Sequence, residues 1–194
     1  MLEFLEKCDR QIFLLLNGWH NELFDQIMWH ISGKLEWIPL YLILLLLSIK
    51  KYGKSVWKIL LGVTAVIVLT DQLSVHMFKN VFERYRPCHN LEIAELVHSV
   101  NNKCGGKFGF VSSHATNSFG LATYVGLFLG NSNRKIALIL LLIWASIVSY
   151  SRIYLGVHYP LDVLGGAVLG MLIAYLIFLL VNRIFSIEKL EHGI

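Results

Sequence analysis

Apolar residues in this chain run in long unbroken stretches instead of alternating with polar ones. Leu40 to Ile49, Ile59 to Leu69, Phe119 to Leu129, Ile136 to Val148 and Val163 to Val181 are nearly free of charge. A bilayer core about 30 Å thick takes about 20 helical residues to cross, and polar extensions bring these runs to that length. Backbone groups in lipid must be bonded internally, so the segments are expected to be helices. The predicted spans are 36–50, 56–79, 114–130, 135–151 and 160–183. The fold class is therefore all-α: a polytopic membrane bundle of about five to six transmembrane helices, one domain over residues 1–194.

The first twenty residues have a different pattern. Glu3, Glu6, Lys7, Asp9 and Arg10 precede the short apolar stretch Ile12 to Leu16, the wrong order and length for a cleavable signal peptide. An interfacial amphipathic helix over 1–20, stopping near Asn17-Gly18, fits better. Residues 21–33 read either as a second shallow helix or as an extension of the first span. Residues 80–113 form a long connection, expected on the outer side.

Composition agrees with the pattern: 56% of residues are hydrophobic and 15% charged. Charge also orients the bundle. Lys50, Lys51, Lys54 and Lys58, then Arg134 and Lys135, then Arg183 and Lys189 mark one side, placed in the cytoplasm by the positive-inside rule. Lys79, Arg84, Arg86, Lys103, Lys107 and Arg152 lie on the other side with Glu83, Glu92 and Glu95.

The outer cations have a chemical companion set. Lys79, Arg86 and Pro87 end the second span; Ser112, Ser113 and His114 open the third; Ser151, Arg152, His158 and Asp162 surround the last turn. Three cations, two histidines and a carboxylate converging at one end suit phosphoryl transfer, which is mostly positioning and charge neutralisation. Pro160 fits the first turn of the last helix. Asp162, one turn from His158, can fix the imidazole tautomer and leave the other nitrogen free to attack. Ser112 or Ser113 would cap the third helix beside an anion site. His114 can protonate a leaving oxygen, and Arg86 and Arg152 can each grip two phosphate oxygens. The same cations would repel a divalent ion, so no metal and no other cofactor is expected.

These residues resemble the type 2 phosphatidic acid phosphatase family, the membrane relatives of bacterial acid phosphatases and vanadium haloperoxidases. The family pattern K-x6-RP is met by Lys79, Arg86 and Pro87, and SR-x5-H-x3-D by Ser151, Arg152, His158 and Asp162. Between them, Val111-Ser112-Ser113-His114 stands where the family has PSGH. The resemblance implies a phosphohistidine on His158 oriented by Asp162, with His114 as general acid. It implies that Lys79, Arg86, Arg152 and Ser112 hold the phosphate, Ser113 standing beside them, and that water completes the cycle without a metal.

On that reading the chain hydrolyses a lipid phosphate or diphosphate at the outer face of a bacterial inner membrane. Undecaprenyl diphosphate is the favoured substrate by analogy with small family members. Phosphatidylglycerol phosphate, phosphatidic acid and lipid A phosphate are the alternatives, and a lipid-binding or transport protein is the non-enzymatic one. The expected partners are the bilayer and its lipid; nucleic acid is not one, and oligomeric state is open. Asp71, inside the second span, is either a structural partner of Gln72 or Ser118 or the counter-ion of a site cation. Gly165, Gly166 and Gly170 form a close-packing stripe. Cys88 and Cys104 flank the outer loop and either pair, closing about 17 residues, or stay free, with Cys8 left over. His20, His30, His89, His98 and His192 read as surface or packing residues.

Overall fold

The computed structural model describes residues 2–130 and 135–185. Arg134, Lys189 and His192 lie outside these residues. Eight helices follow one another: α1 Leu2–Gly18, α2 Glu22–Ile31, α3 Ile38–Tyr52, α4 Val56–Leu73, α5 Asn80–Phe82, α6 Ser113–Leu129, α7 Ile136–Tyr154 and α8 Pro160–Phe185. A π-helical turn, Ser74–Lys79, joins α4 to α5. There is no strand among the described residues, only an isolated bridge between Tyr85 and Phe108. The all-α expectation holds.

Among the described residues, three helical stretches are long and apolar enough to cross a membrane: Leu35–Phe82, Ile136–Tyr154 and Pro160–Phe185. The first turns back at Gly53, whose φ of 52° is left-handed and open to glycine without strain. Its two arms run in opposite directions. Lys51 at the end of α3 donates to the carbonyls of Phe128 and Leu129 at the end of α6, while Lys79 beyond α4 reaches Ser113 at the start of α6. α6 has 17 residues and is the most enclosed helix, packed against α4, α7 and α8. Its contact with α8 needs the glycine stripe: a Cβ on Gly166 would stand 2.6 Å from the Ser112 carbonyl oxygen.

The N-terminal region settles one open alternative and qualifies one expectation. Residues 22–31 form a separate helix, α2, because Asn21 caps it by accepting from the Phe24 N–H. And α1 does not simply lie on the surface. Asp9 and Asn17 are buried, while Phe4, Ile12 and Leu15 face outward. Asn17 donates to the Tyr154 carbonyl at 2.7 Å and accepts from the His98 N–H at 2.8 Å. Helix α1 thus turns Asp9, Phe13 and Asn17 toward the bundle and Phe4, Ile12 and Leu15 away from it.

The 80–113 connection is ordered by short 3₁₀ turns and by a Cys88–Cys104 disulfide with Cα atoms 6.0 Å apart. The pairing left open above is therefore made, with Cys8 free. The loop's two arms also bond each other, Arg86 N–H to the Lys107 carbonyl and Gly109 N–H to the Arg84 carbonyl.

Candidate active site

Six elements bring the predicted residues to one end of the bundle. The π turn supplies Lys79, the loop Arg86, the start of α6 Ser113 and His114, and the end of α7 Arg152. The turn Leu155–Tyr159 carries His158, and Pro160 at the first position of α8 sets Asp162 in its first turn. The α6 and α8 ends are tied by the Ser112 N–H, which donates to the Asp162 carbonyl at 2.9 Å.

Lys79, Arg86, Ser113, His114, Arg152 and His158 all line one cavity of about 740 Å³. From this polar end the cavity continues along α3, α4, α6 and α7 past Tyr41, Leu45, Val63, Leu121 and Trp144, an apolar wall. It reaches Ser48 and Ile59, far from the site along their helices.

The cations are held in place by neutral hydrogen-bond acceptors, with no carboxylate in a direct ion pair with them among the described residues. Lys79 Nζ donates to Ser113 Oγ at 2.7 Å, and Ser113 Oγ also lies 2.8 Å from Ser74 Oγ. Arg86 donates to the Phe108 and Cys104 carbonyls, each at 3.3 Å. Arg152 Nη1 donates to Ser32 Oγ, while its buried Nε has no partner among the described residues. His158 is 1% exposed. Burial first, then Arg86, Arg152 and Lys79, hold its imidazole well below the usual range, so it is neutral.

Asp162 is completely buried and its carboxylate divides its contacts. Oδ2 accepts from the Tyr159 N–H at 3.0 Å and lies 3.4 Å from His158 Nδ1. Oδ1 accepts from Arg84 Nη1 at 2.7 Å. Ser112 does not line the cavity: it is fully buried and caps α6, accepting from the Ala115 N–H. Ser113 takes the cavity-facing place.

Asp71 lines the cavity too, but among the described residues it forms no ion pair with a site cation. Its charge nonetheless acts on Lys79, whose Nζ is hydrogen-bonded to Ser113, while Ser118 bonds the Ala115 carbonyl. His98 is more connected than expected: its Nε2 lies 2.9 Å from Asp25 Oδ1, and its ring stacks on His20 at 3.6 Å.

Three participants escaped the sequence reading. Arg84, Asp9 and Gly109 surround the His158–Asp162 pair, and a Cβ on Gly109 would stand 2.9 Å from Asp162 Oδ2. Only Arg84 carried a signal, as a third basic residue between Lys79 and Arg86.

The helical bundle thus places a cation-walled histidine at one end of an apolar cavity. The chain belongs to the PAP2 superfamily, whose pattern matches residues 55–186. It is 36% identical over 190 residues to a lipid A 4'-phosphatase of Bacteroides thetaiotaomicron, covering 95% of this chain and 81% of that one. It is 30% identical over 173 residues to an undecaprenyl-diphosphatase of Bacillus subtilis, covering 87% and 81%. Its fold resembles the crystal structure of a PAP2-type phosphatidylglycerolphosphate phosphatase from Bacillus subtilis, with TM-score 0.70 and 23% identity over 95% of this chain and 89% of that one.

Proposed function

We propose that the chain hydrolyses a phosphate monoester on a membrane glycolipid of the lipid A type, through a phosphohistidine on His158 and without a metal ion. The observation that carries the substrate is the 36% identity, spanning almost the whole chain, with a lipid A 4'-phosphatase. Undecaprenyl diphosphate, favoured by analogy with small family members, becomes the second reading on the 30% match.

The chemistry follows from the residues. With Nδ1 of His158 facing Asp162, the proton sits on Nδ1 and the Nε2 lone pair is free to attack phosphorus. The P–N bond forms as the P–O bond to the lipid breaks, and His114 gives its proton to the departing oxygen. Water then attacks phosphorus, returns a proton to His114 and releases inorganic phosphate as the P–N bond breaks. Lys79, Arg86 and Arg152, with the Ser113 hydroxyl, bind the equatorial oxygens where charge accumulates. The unpartnered Arg152 Nε is a donor suited to one of them.

The cavity supports a lipid substrate, with the phosphate at its cationic end and hydrocarbon along Leu45, Val63 and Leu121. Two features favour an inner membrane with the site facing outward. Lys51, Lys54 and Lys58 gather at the opposite end of the bundle. The Cys88–Cys104 disulfide lies in the loop that carries Arg86, which suits an oxidising compartment.

The test is phosphate release by detergent-purified protein in EDTA from lipid A 4'-phosphate, phosphatidylglycerol phosphate and undecaprenyl diphosphate. The expected result is turnover in EDTA with the highest kcat/KM on lipid A. A higher kcat/KM on undecaprenyl diphosphate would transfer the assignment to the second reading, and loss of turnover in EDTA would reject the metal-free mechanism.

A further inference from the structure

An ionised carboxylate with no exposure needs strong partners, and Asp162 takes only one backbone N–H from its own turn. Its other oxygen is bound by Arg84, and the same guanidinium donates through Nη2 to Asp9 Oδ2, also at 2.7 Å. Asp9 is 2% exposed, and its Oδ1 accepts from the Leu161 N–H at 2.9 Å, the residue just before Asp162. Arg84 is flattened over the Tyr159 ring, 4.3 Å from its centroid, and Tyr159 meets Phe13 of α1 edge-on. Two carboxylates from opposite ends of the sequence thus share one fork whose orientation is fixed by an aromatic face.

We infer that Arg84 and Asp9 are positioning residues for the His158–Asp162 pair, which makes the N-terminal helix α1 a working part of the active site. The inference rests on the reading of His158 as nucleophile. Its physical basis is charge. Arg84 alone would neutralise Asp162 and leave it a poor partner for the imidazolium that forms as His158 attacks. Asp9 returns one negative charge, so that the three groups together carry −1. That charge is needed because the other groups facing His158 are Arg86 from the loop, Arg152 from α7, Lys79 from the π turn and His114 from α6. Asp9 also holds the first turn of α8, and with it the direction of the Asp162 side chain.

Asp9→Asn in the full-length, detergent-purified enzyme tests this, with Asp9→Glu as the conservative variant. Asparagine keeps an acceptor for Leu161 but removes the charge. The expected result is a kcat lowered ~10-fold or more at unchanged KM, since the phosphate cations are untouched. The acid limb of kcat/KM moves to lower pH, because the imidazolium has lost a stabilising charge. Glutamate restores most of the rate. An Asp9→Asn enzyme with wild-type kcat and acid limb overturns the inference. So does one whose activity falls in step with its melting temperature while the acid limb stays in place, which is a structural role alone. Should Asp9→Asn fail to fold, Arg84→Lys gives the same reading: it keeps the charge but cannot fork to both carboxylates, and kcat is expected to fall equally. A phosphoenzyme trap on the wild type separates the two levels. Absence of phosphohistidine in the wild type refutes the nucleophile reading and this role with it. Its presence, forming at an equal rate in Asp9→Asn, refutes this role alone.

Discussion

Lys79 Nζ donates to the hydroxyl of Ser113 at 2.7 Å, joining the π turn after α4 to the first residue of α6. Ser113 occupies the position where the family pattern has glycine, and here its hydroxyl also meets Ser74 at 2.8 Å. The departure from the pattern therefore has a structural use: it steers the lysine into the cavity. A six-residue π turn, rare in helices and frequent at functional sites, places Lys79 where this contact is made.

Replacing Ser113 by alanine releases Lys79 without altering its charge. Loss of one charge-assisted bond, about 1.5 kcal/mol, predicts a KM raised roughly tenfold with kcat changed much less. Steady-state kinetics on the preferred lipid decide it, and an unchanged KM means that the tether does not serve phosphate binding.

Gly109 is buried against the pair that performs the chemistry. Alanine there puts a Cβ 2.9 Å from Asp162 Oδ2 and 3.2 Å from Arg86 Cγ. The expected outcome for Gly109→Ala is a kcat at least ~10-fold lower, since small displacements of reacting groups are costly. Full activity in this variant would show that the loop yields without disturbing the carboxylate.

His158 also makes stability depend on pH. Burial and the surrounding cations hold its folded pKa well below the usual value, so below about pH 6.5 the unfolded chain takes up a proton that the folded chain refuses. The contribution is complete above that pH and is lost as the medium is acidified. Melting curves in detergent should show wild type losing ground to His158→Gln below about pH 6.5, with a constant difference above about pH 7. Parallel curves across this range would contradict a neutral buried imidazole.

The disulfide sits two residues beyond Arg86, whose guanidinium donates to the Cys104 carbonyl. Cys88→Ser together with Cys104→Ser is expected to cost up to about 3 kcal/mol of stability for a loop of this length. KM should rise as well, because Arg86 loses a fixed acceptor. Thermal unfolding and KM measured on the same preparation test both parts.

The sequence announced the helices and the phosphate-binding residues for different reasons. Charge-free runs such as Val163 to Val181 have no soluble alternative, so α8 was legible from hydropathy alone. Lys79, Arg86, Arg152, His158 and Asp162 were legible because their spacing matches the K-x6-RP and SR-x5-H-x3-D patterns that the chain resembles. Asp9 and Gly109 were not. Asp9 meets Arg84 across 75 positions and Leu161 across 152, and no local periodicity encodes such contacts. The amphipathic pattern of α1 suggested a helix on the membrane surface, but pattern alone did not say that Asp9 and Asn17 would turn inward. Ser112 and Ser113 were interchangeable on paper; the N-cap geometry of α6 assigns Ser112 to the cap and Ser113 to the cavity.

The central claim is that His158 becomes covalently phosphorylated among Lys79, Arg86 and Arg152 with no metal ion present. The most direct measurement is rapid quenching of the enzyme with phosphate-labelled lipid in excess EDTA, followed by mapping of the labelled peptide. The predicted result is an acid-labile, base-stable label on His158, absent from His158→Ala and formed fast enough to account for turnover. Turnover in EDTA with no label on His158, or a label on another residue, would contradict it.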